Sequence, residues 1–116
     1  MRNVSLEDLA RCRERIDEVD LRLLRLLNER TAIAEQIGRI KQELTLAIYE
    51  PKREEQVFAN VLEHNDGPLP HDAVRRIFER IIDEMRTVQK IKMLERNAPP
   101  SRGPQRDDGS GGPCSS

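Results

Sequence analysis

The chain has 116 residues, of which 35% are charged and only 3% aromatic, and its formal net charge is −1. This length allows one domain at most, and the composition is typical of an all-helical protein with long solvated faces. Basic and acidic residues are interleaved, so we predict neither a nucleic-acid-binding nor a membrane-binding surface. No apolar run approaches the ~20 residues of a membrane span, and no signal-peptide core is visible, which makes the cytoplasm the expected location.

The first predicted element is one very long helix that begins after Ser5 and ends near Gln42. Ser5 and Asp8 have the spacing of a helix N-cap. Apolar residues then recur every three or four positions, at Leu9, Cys12, Ile16, Val19, Leu23, Leu26, Ile33, Ile37, Ile40 and Leu44. Such a helix is ~57 Å long, whereas a compact domain of this size is roughly 30–35 Å across. Because its far half needs a second chain to cover the apolar face, we predict an entwined homodimer.

Arg30 interrupts this apolar series in its middle. An arginine keeps its proton, and a buried charge without a partner costs about 3–5 kcal/mol. Either a carboxylate of the protein, such as Glu54 or Asp83, pairs with Arg30, or the protein holds an anionic ligand there. Lys41 projects from nearly the same side of the helix, ~16 Å further along its axis.

A short connection over residues 43–50 follows, with an interior apolar enough to pack down over another part of the protein. A second helix is predicted from Pro51 to about His64, since proline favours the first helical turn. The residues 65–68, Asn-Asp-Gly-Pro, are a strong turn signal. A third helix is predicted from about residue 70 or 71 to Arg96.

The second and third helices each carry a polar residue on an apolar face. Glu54 falls in line with Phe58 and Val61, and Gln89 falls in line with apolar residues of the third helix, Phe78, Ile82 and Met85. A cation, a carboxyl group and an amide on the buried faces of three helices indicate a lined pocket. Other third-helix residues expected inside are Val74, Ile77, Ile81 and Val88.

The last part of the chain differs in composition, being rich in Pro, Gly and Ser and without periodicity. We predict a helical domain over residues 1–97 and a disordered tail over residues 98–116. The two cysteines, Cys12 and Cys114, have neither metal-ligand spacing nor a disulfide pattern, and we expect both to be free thiols.

The polar residues on these helices, taken with their spacing, resemble the all-helical class of chorismate mutases. The residues that carry the likeness are Arg13-Glu14-Arg15-Ile16-Asp17, Asp20, Leu26-Leu27-Asn28-Glu29-Arg30, Ile37-Gly38, Lys41 and Pro51-Lys52-Arg53-Glu54. The likeness covers roughly residues 6–91. It implies a three-helix chain in an entwined homodimer, acting on the dicarboxylate chorismate.

The implied reaction is the intramolecular Claisen rearrangement of chorismate to prephenate, a step towards phenylalanine and tyrosine. It implies no cofactor, no metal and no covalent intermediate. An enzyme for it must hold a flexible substrate in a compact, chair-like conformation. It must also stabilise the negative charge that develops on the ether oxygen as the C–O bond breaks.

The resemblance implies roles for eight positions. Arg30 corresponds to an arginine that pairs with a substrate carboxylate, and Arg13 to an arginine that reaches into the partner chain's site. Lys41 and Gln89 correspond to the two donors to the ether oxygen. The remaining positions lie on the second helix, just before it, and on the third helix.

Glu54 corresponds to the residue that binds the ring hydroxyl, and Arg53 to a neighbouring arginine that lines the site. Glu50 stands where the family often has an aspartate near that hydroxyl. Met85 stands where some members have a serine near a substrate carboxylate, and a thioether cannot donate a hydrogen bond.

Two other functions remain open at this point. One is an isochorismate pyruvate lyase on the same scaffold, although that branch tends to have an apolar residue after the arginine that corresponds to Arg53. The other is a non-catalytic helical module for dimerisation or regulation. Polar residues retained on the buried faces, Glu54 among them, favour the mutase over both.

Overall fold

The computed structural model of the chain describes residues 3–99, which form three α-helices and no strand. They are α1 (Leu6–Glu43), α2 (Pro51–Glu63) and α3 (His71–Asn97). The all-helical fold class is confirmed, and each helix ends within one residue of its predicted end. Residues 100–116, which include most of the predicted tail and Cys114, lie outside the described residues.

Local side-chain chemistry explains where the helices begin. The Ser5 hydroxyl accepts a hydrogen bond from the Asp8 amide at 3.2 Å, and the Asp8 carboxylate accepts one from the Ser5 amide at 2.9 Å. This reciprocal pair satisfies two amide groups that an uncapped helix leaves without partners. It also lowers the pKa of Asp8, chiefly through the bond to the Ser5 amide. Pro51 occupies the first turn of α2, as predicted.

The predicted turn between α2 and α3 is also present. The Asn65 side chain accepts a hydrogen bond from the Gly67 amide at 3.0 Å and donates one to the Leu69 carbonyl at 2.9 Å. Gly67 has a φ of 79°, a left-handed conformation that glycine adopts without steric cost. The turn reverses the chain so that α3 can pack back on the rest of the protein.

The third helix packs against both of the others. Thr31 of α1 contacts Met85 of α3, and further along both helices Gln42 contacts Asn97. These two helices therefore run parallel. The buried apolar core is small and consists of Ala34, Phe58, Val74, Ile82 and Met85. Ile77 is 45% exposed, so its predicted burial is wrong for the single chain, because neither α1 nor α2 covers that side of α3.

Much of the predicted apolar seam of α1 is uncovered in the described part of the chain, residues 3–99. Every residue from 9 to 26 is exposed, and Leu26 has 61% of its surface accessible. The Cα radius of gyration is 19.9 Å, well above the ~13 Å of a compact domain of this length. This is the overhang that the helix length predicted.

The connection between α1 and α2 does not pack down on the chain's own helices as expected. Leu44 and Leu46 are 63% and 57% exposed, and only Ile48 is partly buried. Within residues 3–99, these two leucines are therefore left largely uncovered. No helix in the described part of the chain combines the length and apolar character needed to cross a membrane.

Candidate functional site

A cavity of about 350 Å³ lies where the three helices and the end of the connection meet. This is within the size range of small-molecule sites in proteins. Seven of the eight predicted site residues line it. The lining residues are Arg30, Ile33, Ala34, Ile37, Lys41, Ile48, Glu50, Arg53, Glu54, Val57, Ile82, Met85, Arg86 and Gln89.

The cavity carries an excess of positive charge. Four of its lining side chains are cationic and two are anionic, which leaves a formal charge of +2. Two ion pairs account for both anions: Lys41 Nζ lies 2.7 Å from Glu50 Oε1, and Arg86 Nη2 lies 2.7 Å from Glu54 Oε2. Within residues 3–99, neither Arg30 nor Arg53 forms an ion pair. Two guanidinium groups therefore face the cavity without a carboxylate.

The surroundings of Arg30 disfavour its charged guanidinium unless an anion binds beside it. Burial, and then the positive charge of Arg53, lower the pKa of the Arg30 guanidinium. The two acids that the sequence offered as its partners are engaged elsewhere, since Glu54 and Asp83 lie 2.7 and 3.4 Å from Arg86. Of the two sequence interpretations of Arg30, the geometry favours an anionic ligand over a structural ion pair.

Lys41 is held firmly at the C-terminal end of α1. It is only 8% exposed, and its ammonium donates to the Ile48 carbonyl at 2.8 Å as well as to Glu50. The hydrogen bond and charge of Lys41 lower the pKa of Glu50, which keeps that carboxylate ionised. An ammonium has three N–H groups, so one remains for a ligand.

Gln89 is held in the same way from α3. It is 8% exposed, and its Nε2 donates to the Ala34 carbonyl of α1 at 2.8 Å, which leaves the second N–H of the amide for a ligand. The close approach depends on Gly38, because a Cβ at that position would lie 3.2 Å from Gln89 Cγ. The contact between the two helices therefore fixes one of the predicted donors.

Met85 lines the cavity as an apolar residue. It is 8% exposed, and its sulfur lies 3.3 Å from Thr31 Oγ1, which also donates to the Leu27 carbonyl at 2.7 Å. Met85 thus joins α3 to α1 and offers no donor to a ligand.

At two residues, the lining of the cavity differs from the predicted set of site residues. Arg13 is exposed on the uncovered half of α1 and does not line the cavity of its own chain. Arg86 lines the cavity, but the sequence reasoning missed it. Its position three residues before Gln89, one helical turn away on a similar side of α3, was the signal that could have identified it.

The arrangement is suited to binding and electrostatic stabilisation. Unpaired guanidiniums can bind an anion bidentately, while Lys41 and Gln89 present fixed N–H donors. Among the described lining residues there is no Ser, Cys or His to serve as a nucleophile. Residues 3–99 also contain no group of three or more His, Cys, Asp or Glu side chains placed to hold a metal ion.

Residues 12–90 match the sequence model of the family described as chorismate mutase type II. The chain is 32% identical over 94 residues to a chorismate mutase of Methanocaldococcus jannaschii, with 78% of this chain and 92% of that protein covered. It is 37% identical over 89 residues to a bifunctional chorismate mutase/prephenate dehydratase of Aquifex aeolicus, which covers 73% of this chain. The matched region spans only 25% of that bifunctional protein.

A solved structure gives the same result for the fold. The chorismate mutase of Thermus thermophilus (form II) superimposes with a TM-score of 0.70 at 35% sequence identity. The superposition covers 71% of this chain and 93% of that one.

Proposed function

The chain belongs to the chorismate mutase type II family, and we propose that it catalyses the rearrangement of chorismate to prephenate. The observation that carries the proposal is the pairing pattern in the cavity. Two guanidiniums, those of Arg30 and Arg53, face it without a carboxylate, beside two fixed N–H donors. A dicarboxylate with an ether oxygen between its two acidic parts complements this arrangement.

The first requirement of the reaction is to hold the substrate in a reactive conformation. Chorismate has a ring carboxylate and a side-chain carboxylate, and its side chain must fold over the ring before the new C–C bond can form. We propose that Arg30 binds one carboxylate and that Arg53 lines the site beside it. Holding the substrate by this carboxylate, together with the contacts to its ether oxygen and ring hydroxyl, removes conformational entropy before the barrier is reached.

The second requirement is to stabilise negative charge on the ether oxygen as its bond to the ring breaks. We propose that Lys41 and Gln89 donate to this oxygen through the N–H groups that the protein leaves unused. Both side chains are already oriented by contacts with the backbone, so they need little reorganisation during the reaction. Removing one such donor costs ~2.7–4 kcal/mol of barrier, or about a few hundred-fold in rate.

The third contact concerns the ring hydroxyl. Glu54 uses Oε2 for its bond to Arg86, and we propose that its other oxygen accepts from this hydroxyl. Glu50 lies at the same side of the cavity and is held by Lys41. The apolar side chain of Met85 replaces a donor at the carboxylate end, which leaves more of the binding to the arginines.

We propose that the active form is a homodimer in which Arg13 enters the partner chain's cavity. Arg13 is too far along α1 to reach the cavity of its own chain, ~25 Å from Arg30 along the helix axis. The exposed apolar face of residues 9–26 supports a second copy of this chain as its cover. No cofactor enters the proposed reaction, and the cytoplasm remains the predicted location.

The direct test is the loss of chorismate absorbance on adding the purified chain, with acid conversion of the product to phenylpyruvate as confirmation. Turnover that falls at least about a hundredfold in Lys41→Ala supports both the activity and the electrostatic mechanism. A chain without turnover of chorismate contradicts the proposal. Release of pyruvate from isochorismate would then assign the lyase reaction instead.

A further inference from the structure

Arg86 is the lining cation of the described cavity for which the proposed mechanism has no role. Its side chain is 26% exposed, and its Nη2 donates to Glu54 Oε2 at 2.7 Å. The guanidinium carbon lies 5.0 Å from the centroid of the Tyr49 ring, close enough for a cation–π interaction. Its Nε is buried and has no hydrogen-bond partner within residues 3–99. The guanidinium thus contacts both Tyr49 and Glu54, and its Nε–H remains unpaired.

The partner that Glu54 takes determines which cations stay free. Glu54 lines the same cavity as Arg30, Arg53 and Arg86, so three guanidiniums line a cavity in which Glu54 and Glu50 are the carboxylates. A carboxylate in a partly desolvated cavity pairs with a guanidinium when one is within reach. Here Glu54 pairs with Arg86, while neither Arg30 nor Arg53 forms an ion pair within residues 3–99.

The same contact also sets the orientation of Glu54. The carboxylate has two oxygens, and only Oε2 is used by Arg86. The bond crosses from α3 to α2, so it fixes the carboxylate against a neighbouring helix. Its other oxygen keeps its acceptor capacity.

We propose that Arg86 is a positioning residue of the chorismate site. It keeps Glu54 away from Arg30 and Arg53, so that these remain available for the substrate carboxylates, and it presents the second oxygen of Glu54 to the ring hydroxyl. The inference rests on the proposed function and adds to it a residue that acts through Glu54.

The test is a double-mutant cycle on the full chain with chorismate as the substrate. Arg86→Met removes the charge while keeping most of the side-chain length. We expect it to lower kcat/KM about 10- to 100-fold, the effect of losing a charged hydrogen bond. In a Glu54→Ala background the same substitution should change kcat/KM by less than about threefold, because Arg86 then has no acceptor at position 54 to hold.

Two further variants separate positioning from general structural damage. Arg86→Lys keeps a cation near Glu54 and should recover kcat/KM to within about threefold of the unsubstituted protein. Arg80→Met is the matched control, since Arg80 lies on the same helix, is 78% exposed and pairs with Glu84 at 2.8 Å. It should leave kcat/KM unchanged. Circular dichroism and the molar mass of each variant verify that fold and assembly are retained.

A chorismate analogue that lacks the ring hydroxyl gives an independent readout. The unsubstituted protein should bind this analogue more weakly than the same analogue with the hydroxyl. Arg86→Met should reduce the ratio of the two affinities. Equal losses from Arg86→Met with Glu54 present and in the Glu54→Ala background would overturn the inference, because Arg86 would then act on the substrate or the fold directly.

An active protein in which Arg86→Met has no effect would also overturn the inference, as would Arg86→Lys being no better than Arg86→Met. Either result leaves the mutase proposal standing. An unsubstituted protein without turnover contradicts the mutase proposal, and this inference falls with it.

Discussion

The two halves of α1 have the same apolar spacing but lie in different surroundings. Residues 9–26 are all exposed, whereas the C-terminal part contacts α3 and contributes the buried residues Ala34, Gly38 and Lys41. The C-terminal part therefore lines the cavity, and the exposed part is the surface that we propose a second copy of the chain covers. Substitutions before Leu27 should therefore affect assembly of the proposed dimer, and substitutions after Leu27 should affect the cavity.

The largest effect is expected from a charge on the exposed half. Leu23→Lys would bury two ammonium groups in the proposed dimer interface, and each unpaired buried ion costs several kcal/mol. We expect the dimer to dissociate and chorismate turnover to fall below detection, as measured by sedimentation equilibrium and enzyme assay. Leu21→Lys is the matched control, because Leu21 is 58% exposed and lies on the opposite side of the helix. A dimer that survives Leu23→Lys would contradict the predicted interface.

The substitution Arg30→Ala tests the C-terminal half of α1, which contacts α3. Truncating one partner of a buried charge pair costs about 2–5 kcal/mol, so kcat/KM for chorismate should fall roughly 30- to 5000-fold. The dimer should persist, as gel filtration with light scattering would show, because Arg30 faces the cavity. Dissociation of the dimer instead would make Arg30 a structural residue and would overturn its assignment to the site.

Gly38→Ala should have an intermediate effect. Alanine is the better helix former by about 1 kcal/mol, but its Cβ would lie 3.2 Å from Gln89 Cγ. We expect the amide of Gln89 to move from the Ala34 carbonyl, with kcat reduced about tenfold and KM little changed. Steady-state kinetics at several chorismate concentrations distinguish the two parameters. Unchanged kcat would show that Gln89 has room to shift without loss of function.

The smallest effect concerns the start of α1. Ser5→Ala should lower the free energy of unfolding by about 1 kcal/mol, as the loss of an N-cap does, while kcat stays the same. The lowered pKa of Asp8 means that its stabilising contribution is present above the pKa of the unfolded chain and is lost as the pH falls through the lower pKa of the folded protein. Thermal unfolding of Ser5→Ala checks the first effect. Asp8→Ala removes the carboxylate that accepts from the Ser5 amide, so its difference in melting temperature from the unsubstituted protein should shrink as the pH falls below about 4. A constant difference at every pH would contradict the capping pair.

Strong periodic patterns and cap signals were sufficient to predict the three helices. Ser5, Pro51 and the turn at residues 65–68 fixed their ends because each acts through its own neighbours in the sequence. The resemblance to a known family brought together seven site residues that line one cavity. Helical spacing alone had selected Arg30, Glu54 and Gln89, which interrupt apolar faces, and Lys41, which lies on nearly the same side of α1 as Arg30.

The errors arise where burial depends on a neighbour that the sequence does not specify. Ile77, and Leu46 in the connection between α1 and α2, were expected to be covered, yet both are exposed among the three described helices. Arg86 was missed because an arginine beside an apolar stripe has the same pattern whether it is solvated or pairs with a carboxylate on another helix. Its contact with Glu54 joins residues that are 32 positions apart. Only the packing of α2 on α3 reveals it.

The most direct test of the account is complementation between two inactive variants. Arg13→Ala and Arg30→Ala homodimers should each lack turnover of chorismate. When the two are unfolded, mixed in equal amounts and refolded, half of the dimers contain one chain of each kind, and one of their two sites has both arginines intact. The account predicts that the mixture recovers about a quarter of the activity of refolded unsubstituted protein. No recovery, with mixed dimers verified by mass spectrometry, would contradict a site shared between two chains.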